Sequence, residues 1–338
     1  MYEMLGICLA LTGLLTFNAL ASLLTGALWR LLRGRAQAWP ATARAQLLFA
    51  FRVFPGIAAV ICVAALLLPA YIAHEPRQET EGVSLKLGLI AAISAAGLLL
   101  AAWRGLAAWR ATRKLIANWV RNSEPLTHAT IPAPIPAYRL RHSFPVIAVV
   151  GTFRPRLFIA DHLFDSLKPE ELTAAIAHEC GHLAARDNLK RALLRACRDT
   201  LTIVPCGRLL DREWAAASEA AADEFAAHST THNKGEVALN LASALVKIAR
   251  LVPAGARPYM PASALLIGED AGGIAERVQN LMRLATTARA EEAPSLAIPA
   301  SLWLSLGALA TAALLVATNQ HLLAAIHNLI EVAVSTLQ

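Results

Sequence analysis

Residues 169–187 read Pro169-Glu-Glu-Leu-Thr-Ala-Ala-Ile-Ala-His178-Glu179-Cys180-Gly181-His182-Leu-Ala-Ala-Arg-Asp187. A proline followed by two acids suits the first turn of a helix: the missing N–H costs nothing there, and carboxylates favour the positive end of the helix dipole. On such a helix His178 and His182 are four residues apart and share a face, so both imidazoles can reach one metal ion. Glu179 is turned about 100° from His178. There it stands beside an open coordination position, where it can take a proton from a water and pass it to a leaving amine. Zn2+ is the expected ion. Cys180 points away from the metal face and reads as a small packing residue, and Gly181 reads as a point of close approach.

A catalytic zinc of this kind wants a third protein ligand. Downstream lies Ser218-Glu219-Ala-Ala-Ala-Asp223, in a helical context. Glu219 is the candidate third ligand, and Asp223, four residues on, is the candidate partner for the outer nitrogen of a ligating histidine. Asp187 and Asn188 either orient the active helix or form a surface ion pair. His228 and His232 are candidate donors to a developing oxyanion, or plain exposed histidines. Upstream, Val146–Val150 and Arg156–Ala160 flank Gly151-Thr-Phe-Arg-Pro155 and read as a hairpin. It either offers an edge to an extended substrate or is an ordinary half-buried hairpin. Tyr138–His142 alternates like a strand, and the proline-rich 124–145 stretch reads as an extended connector. Helices are expected over 208–229 and 235–251 and through Arg283.

The rest of the chain is apolar. Of 338 residues, 56% are hydrophobic and 16% charged, well outside the soluble norm of about 45–50% and 25%. That excludes disorder and an ordinary soluble enzyme. The net charge of +7 sits beside apolar runs, so it reads as membrane orientation rather than nucleic-acid binding. Five scattered cysteines with no CxxC pair do not form a disulfide framework. Spans are expected at about 5–28, 53–72, 87–109 and 296–318. Arg30, Arg33, Arg35, Arg44 and Arg52 lie between the first two, a mixed loop of Glu75, Arg77, Glu79, Glu81 and Lys86 follows, and Arg104, Arg110, Arg113, Lys114 and Arg121 come after the third. Lysine and arginine gather on the cytoplasmic side, so the N-terminus is expected outside and the peptidase region inside.

The expected organisation is a membrane domain over 1–115, a cytoplasmic zinc peptidase over 116–295, a fourth span over 296–318 and an apolar tail over 319–338 that lies at the interface or inserts. The fold class is a mainly α membrane protein carrying an α+β zinc-peptidase domain.

HExxH at 178–182 followed by ExxxD at 219–223, 41 residues after His178, resembles the gluzincin pattern. With Val150–Ile159 and Leu172–Asp187, the chain resembles the BlaR/MecR-type antirepressor membrane metallopeptidases, over about residues 1–318 and most specifically over 145–225. The resemblance implies a multi-pass protein of the bacterial inner membrane whose zinc endopeptidase cleaves a cytoplasmic or membrane protein, often a repressor, to relay a signal. HtpX-like quality-control proteases share the signature and are the alternative; a non-catalytic zinc-fold scaffold is a third. The implied partners are the bilayer, a protein substrate, and a sensor or second copy, without direct nucleic-acid binding. No Ser-x-x-Lys motif lies in an external domain, so β-lactam sensing is not expected.

Overall fold

The computed structural model describes residues 2–75, 83–127, 133–200, 206–229, 234–252, 271–286 and 318–337, with isolated positions at 307, 308, 311, 312 and 315. The expected fourth span, His232 and the stretch 253–270 lie outside the described residues, wholly or nearly so.

Among the described residues, three helical rods are long and apolar enough to cross a membrane. The first is α1 (Tyr2–Ala36). The second is a continuous rod of α2 (Ala41–Cys62), a π-helical turn (Val63–Leu67) and α3 (Leu68–His74). The third is α4 (Leu85–Arg121), started by Ser84, whose hydroxyl accepts from the Leu87 N–H at 3.2 Å. Both later helices outrun their apolar stretches. Α2 begins twelve residues before the expected span, which puts Pro55 inside it, and α4 runs on to Arg121. Leu24, Leu31, Leu89, Leu99 and Trp103 face outward on α1 and α4, as lipid-facing positions do.

Α4 leads directly into a four-stranded sheet of order β1-β2-β4-β3, made of β1 (Ser123–Leu126), β2 (Ala137–Leu140), β3 (Ile147–Val150) and β4 (Arg156–Ala160). The expected hairpin is β3/β4, antiparallel with Val149 opposite Leu157, and β2 runs parallel to β4. Inside the expected connector, Ser123–Leu126 pairs with β2. Pro125 is tolerated there because β1 is an edge strand. Gly151 turns the chain after β3 at φ +111, where an added Cβ would meet the Arg154 carbonyl oxygen at 2.9 Å.

A short helix α5 (Leu163–Ser166) precedes α6 (Pro169–Ala184). Α6 starts as its sequence requires, with the Lys168 N–H donating to Glu171 Oε2 at 2.8 Å. Then follow α7 (Asp187–Thr200), α8 (Cys206–Ala227), α9 (Lys234–Leu251), α10 (Ala271–Thr286) and α11 (Gln320–Leu337). One core joins the sheet to α6, α8, α9 and α10 through Phe158, Ile159, Ile176, Leu241, Leu245 and Leu281. A second core joins the membrane helices to α7 and α8: Trp29, Leu48 and Phe49 pack with Leu194, Leu210 and Trp214. Ion pairs border it, Arg52 to Asp211 at 3.1 Å and Arg33 to Glu213 at 3.0 Å. Arg104 reaches Asp199 on α7 at 2.8 Å rather than only lying along the third span.

Candidate metal centre

Α6 and α8 lie side by side because Gly181 removes the obstacle between them. A Cβ at Gly181 would come within 3.1 Å of the Ala222 Cα and 3.2 Å of the Phe225 Cβ. That approach puts Glu219 of α8 against both histidines of α6: its Oε2 is 3.5 Å from His178 Nε2 and its Oε1 is 3.5 Å from His182 Nε2. The imidazoles stand edge to face at 4.8 Å. One ligand atom from each of His178, His182 and Glu219 lies within 4.8 Å of the others, so the three could hold one metal ion.

A carboxylate stands behind each ring. His178 Nδ1 is 2.8 Å from Asp223 Oδ1, and His182 Nδ1 is 2.7 Å from Asp187 Oδ2. A carboxylate only accepts, so His182 Nδ1 is the donor to Asp187, and both rings turn Nε2 toward Glu219, where a cation would sit. This donor set, two imidazoles and a carboxylate with buried carboxylates behind the rings, fits Zn2+. Asp187 opens α7 directly after Arg186, whose φ of 55 turns the chain back under the site. Of the two readings open for Asp187, the structure selects the one that orients His182. Asn188 beside it donates to the carbonyls of Val149 and Gly151 at 2.9 and 3.0 Å.

Glu179 is buried, and its Oε2 accepts from the Val149 N–H of β3 at 2.9 Å. The carboxylate is therefore clamped between helix and sheet edge. Both outward-facing backbone groups of Val149 are taken, one by Glu179 and one by Asn188. Cys180 packs against the main core, and burial, with Glu179 nearby, pushes its thiol up to about 11. His228 turns back on its own helix, with Nδ1 2.6 Å from the Glu224 carbonyl oxygen.

Arg277 on α10 is the residue that sequence reasoning missed. Its guanidinium meets both oxygens of Asp223, at 3.0 and 2.7 Å, reaches Glu219 Oε2 at 3.1 Å, and stands 3.4 Å from His178 Nε2. Arg191 of α7 meets Glu219 Oε1 at 3.1 Å. Burial opposes charge on Arg277, Glu219 and Asp223, yet the pairing overcomes it. Glu219 is held well below the usual carboxylate range, chiefly by His182, and Asp223 is lowered by Arg277. The Glu219 charge and the Asp187 hydrogen bond push His182 up to about 10 despite burial. No periodic signal marks Arg277; the one cue is a cation on a helix face that otherwise carries Val278 and Leu281 into the core.

The model of peptidase family M48 matches residues 148–259, about a third of the chain. The match spans β3, β4 and the helices that carry His178, His182, Glu219 and Asp223. It supports a metallopeptidase of that family, and with the three apolar rods a membrane-associated one. No curated protein matches the chain.

Proposed function

We propose that this protein is an integral-membrane zinc endopeptidase that cleaves a cytoplasmic or membrane protein substrate as a regulatory step, in the manner of an antirepressor. The observation that carries the catalytic part is the convergence of His178, His182 and Glu219, with a buried carboxylate behind each imidazole. In this reading those three residues hold the metal. Zn2+ bound there would polarise the scissile carbonyl and acidify a water. Glu179 takes the proton of the attacking water and delivers it to the leaving amine. The bond from the Val149 N–H keeps that carboxylate on station. Asp223 and Asp187 fix the ring tautomers, and Arg277 holds Asp223 in place.

The regulatory part rests on the likeness of residues 145–225 to the antirepressor peptidases. The membrane orientation is supported by the arginines that pair with the peptidase: Arg33, Arg52 and Arg104 meet Glu213, Asp211 and Asp199, so the basic parts of the apolar rods lie against the peptidase helices α7 and α8, as a cytoplasmic peptidase would require.

The test compares wild type with Glu179→Gln, which keeps shape and cannot take a proton. Zinc content should persist while cleavage falls by about 10²–10⁴-fold. Zinc lost together with cleavage would make Glu179 a holder of the metal. Proteomes of the two strains separate the roles: one or a few discrete cleavage products supports regulation, whereas broad build-up of damaged membrane proteins supports quality control.

A further inference from the structure

Each apolar rod meets an arginine on the side of the peptidase. Charge is absent from Met4 to Trp29, from Val53 to Ala73 and from Leu87 to Trp103, and Arg30, Arg52 and Arg104 border these runs. In a bilayer those arginines mark the edge of the hydrocarbon. The peptidase is pinned near that edge on all three rods. Arg33, about one turn beyond Arg30, meets Glu213 of α8, Arg52 meets Asp211 of α8, and Arg104 meets Asp199 of α7. The Arg52 and Asp199 side chains are buried, so two of these contacts are fixed in place, unlike mobile surface pairs.

Α8 runs antiparallel to α2: Asp211 is level with Arg52, and further along α8 Glu224 Oε1 accepts from the N–H of Ala41, where α2 begins. Along α8 from Asp211 to the candidate ligand Glu219 the rise is about 12 Å. Α7 gives a second measure. Its end dips past Arg104, since a Cβ at Gly97 would lie 2.8 Å from the Thr200 carbonyl oxygen. Its start is Asp187, hydrogen-bonded to His182, and from Asp199 back to Asp187 the rise is about 18 Å. The two helices agree in setting the metal centre about 12–18 Å from the hydrocarbon edge. Headgroups fill roughly the first 5–7 Å of that distance. The clearance left is much smaller than a small folded domain, which measures about 30 Å. An extended chain climbing out of the bilayer covers the whole distance in about four or five residues.

We propose that the substrate is a membrane-anchored protein cut beside the bilayer, at a bond about four or five residues beyond its membrane-embedded segment. This rests on the peptidase function above and on the three rods as spans; it adds the substrate class and the position of the cut. Height above the bilayer selects the bond ahead of its sequence, because the ion pairs and the shared core of Trp29, Leu48 and Trp214 fix the centre relative to the rods. Confinement of enzyme and substrate to one bilayer also raises their effective concentration, as a tether does.

The test uses the full chain, supplied with Zn2+, in proteoliposomes that also hold a model substrate: a single membrane helix followed by a long unstructured casein segment. Mass spectrometry should place the cuts about four or five residues past the helix. Trimming the membrane end of the segment residue by residue should move the cut along the sequence and keep its distance from the helix. The same segment without its helix should be cut at least about tenfold more slowly at equal concentration. A readout without turnover uses Glu179→Gln: a photo-crosslinking residue walked along the anchored substrate should label α6 and α8 most strongly at that same distance. Cuts that follow sequence whatever their height, equal rates on the detached segment, or crosslinks spread evenly along the chain would overturn the proposal and leave the peptidase reading standing. Cleavage undiminished in Glu179→Gln would overturn the peptidase reading, and this one with it.

Discussion

Arg277 grips both carboxylate oxygens of Asp223, and Asp223 Oδ1 stands 2.8 Å from the outer nitrogen of His178. A cation on α10 thus governs the orientation of an imidazole on α6 through a carboxylate on α8. Arg277→Ala leaves Asp223 buried without its counter-charge. The expected cost is about 3–5 kcal/mol of stability, with a loss of about 10–100-fold in metal affinity or activity. Arg277→Lys should rescue little, because an ammonium cannot match the two-point grip. Thermal melting and zinc titration check both. Wild-type affinity in the alanine variant would leave Arg277 as packing only.

The raised His182 predicts how the metal-free chain responds to pH. Its folded value near 10 exceeds the ordinary 6.5, so the stability it lends is complete below about 6.5 and is lost as pH rises towards 10. A ligating imidazole must be neutral, so zinc binding at pH 7–8 should expel about one proton per chain. Calorimetry in two buffers of different ionisation enthalpy measures it. His182→Gln should abolish the release together with the binding.

Glu171 links α6 to α9. Burial opposes its charge, but hydrogen bonds from Lys247 and Ser243, at 2.7 and 2.6 Å, and from the Lys168 N–H hold it below the usual 4.5. A lowered folded value means stability that is present above about pH 4.5 and lost as pH falls further. Glu171→Gln should remove that acid-side loss and cost about 1–3 kcal/mol at neutral pH. Melting temperature against pH, compared between the two proteins, reads the difference.

Gly181→Ala places a methyl group 3.1 Å from the Ala222 Cα. Backbone cannot swing aside as a long side chain can, so α6 and α8 must part by some tenths of an ångström. The expected destabilisation is about 1–3 kcal/mol, with weaker zinc binding because Glu219 recedes from both histidines. A variant as stable and as tight as wild type would mean the helices are not held at that distance.

Much of this centre was legible in residues with fixed spacing. His178, His182, Glu219 and Asp223 each sit four apart on a helix, and helical period alone puts each pair on one face. The β3/β4 hairpin followed from β-branched runs around Gly151. What escaped was contact between elements distant in sequence. Asp223, whose carboxylate Arg277 grips, lies 54 residues away in sequence, so no period points to the pair. Α7 was not separated from its neighbours, because its polar face carries arginines and lysine that read as surface until Arg191 and Asp187 turn inward. The long α2 start was hidden because Thr42, Ala45 and Arg52 are buried against α8 rather than in lipid, and hydropathy cannot tell those apart.

The shared core of Trp29, Leu48 and Phe49 with Leu194, Leu210 and Trp214 makes the boundary at residue 115 a poor place to cut. A fragment begun there would bare Leu210 and Trp214 to water and strand Asp211 and Glu213 without their arginines, so it should aggregate, whereas the full chain in a bilayer mimic should melt in one transition. Among the described residues, solid packing joins the apolar rods to α7 and α8. The lipid or detergent around the rods should therefore alter the seating of α8, so the choice of lipid is expected to be a variable in any assay of this protein.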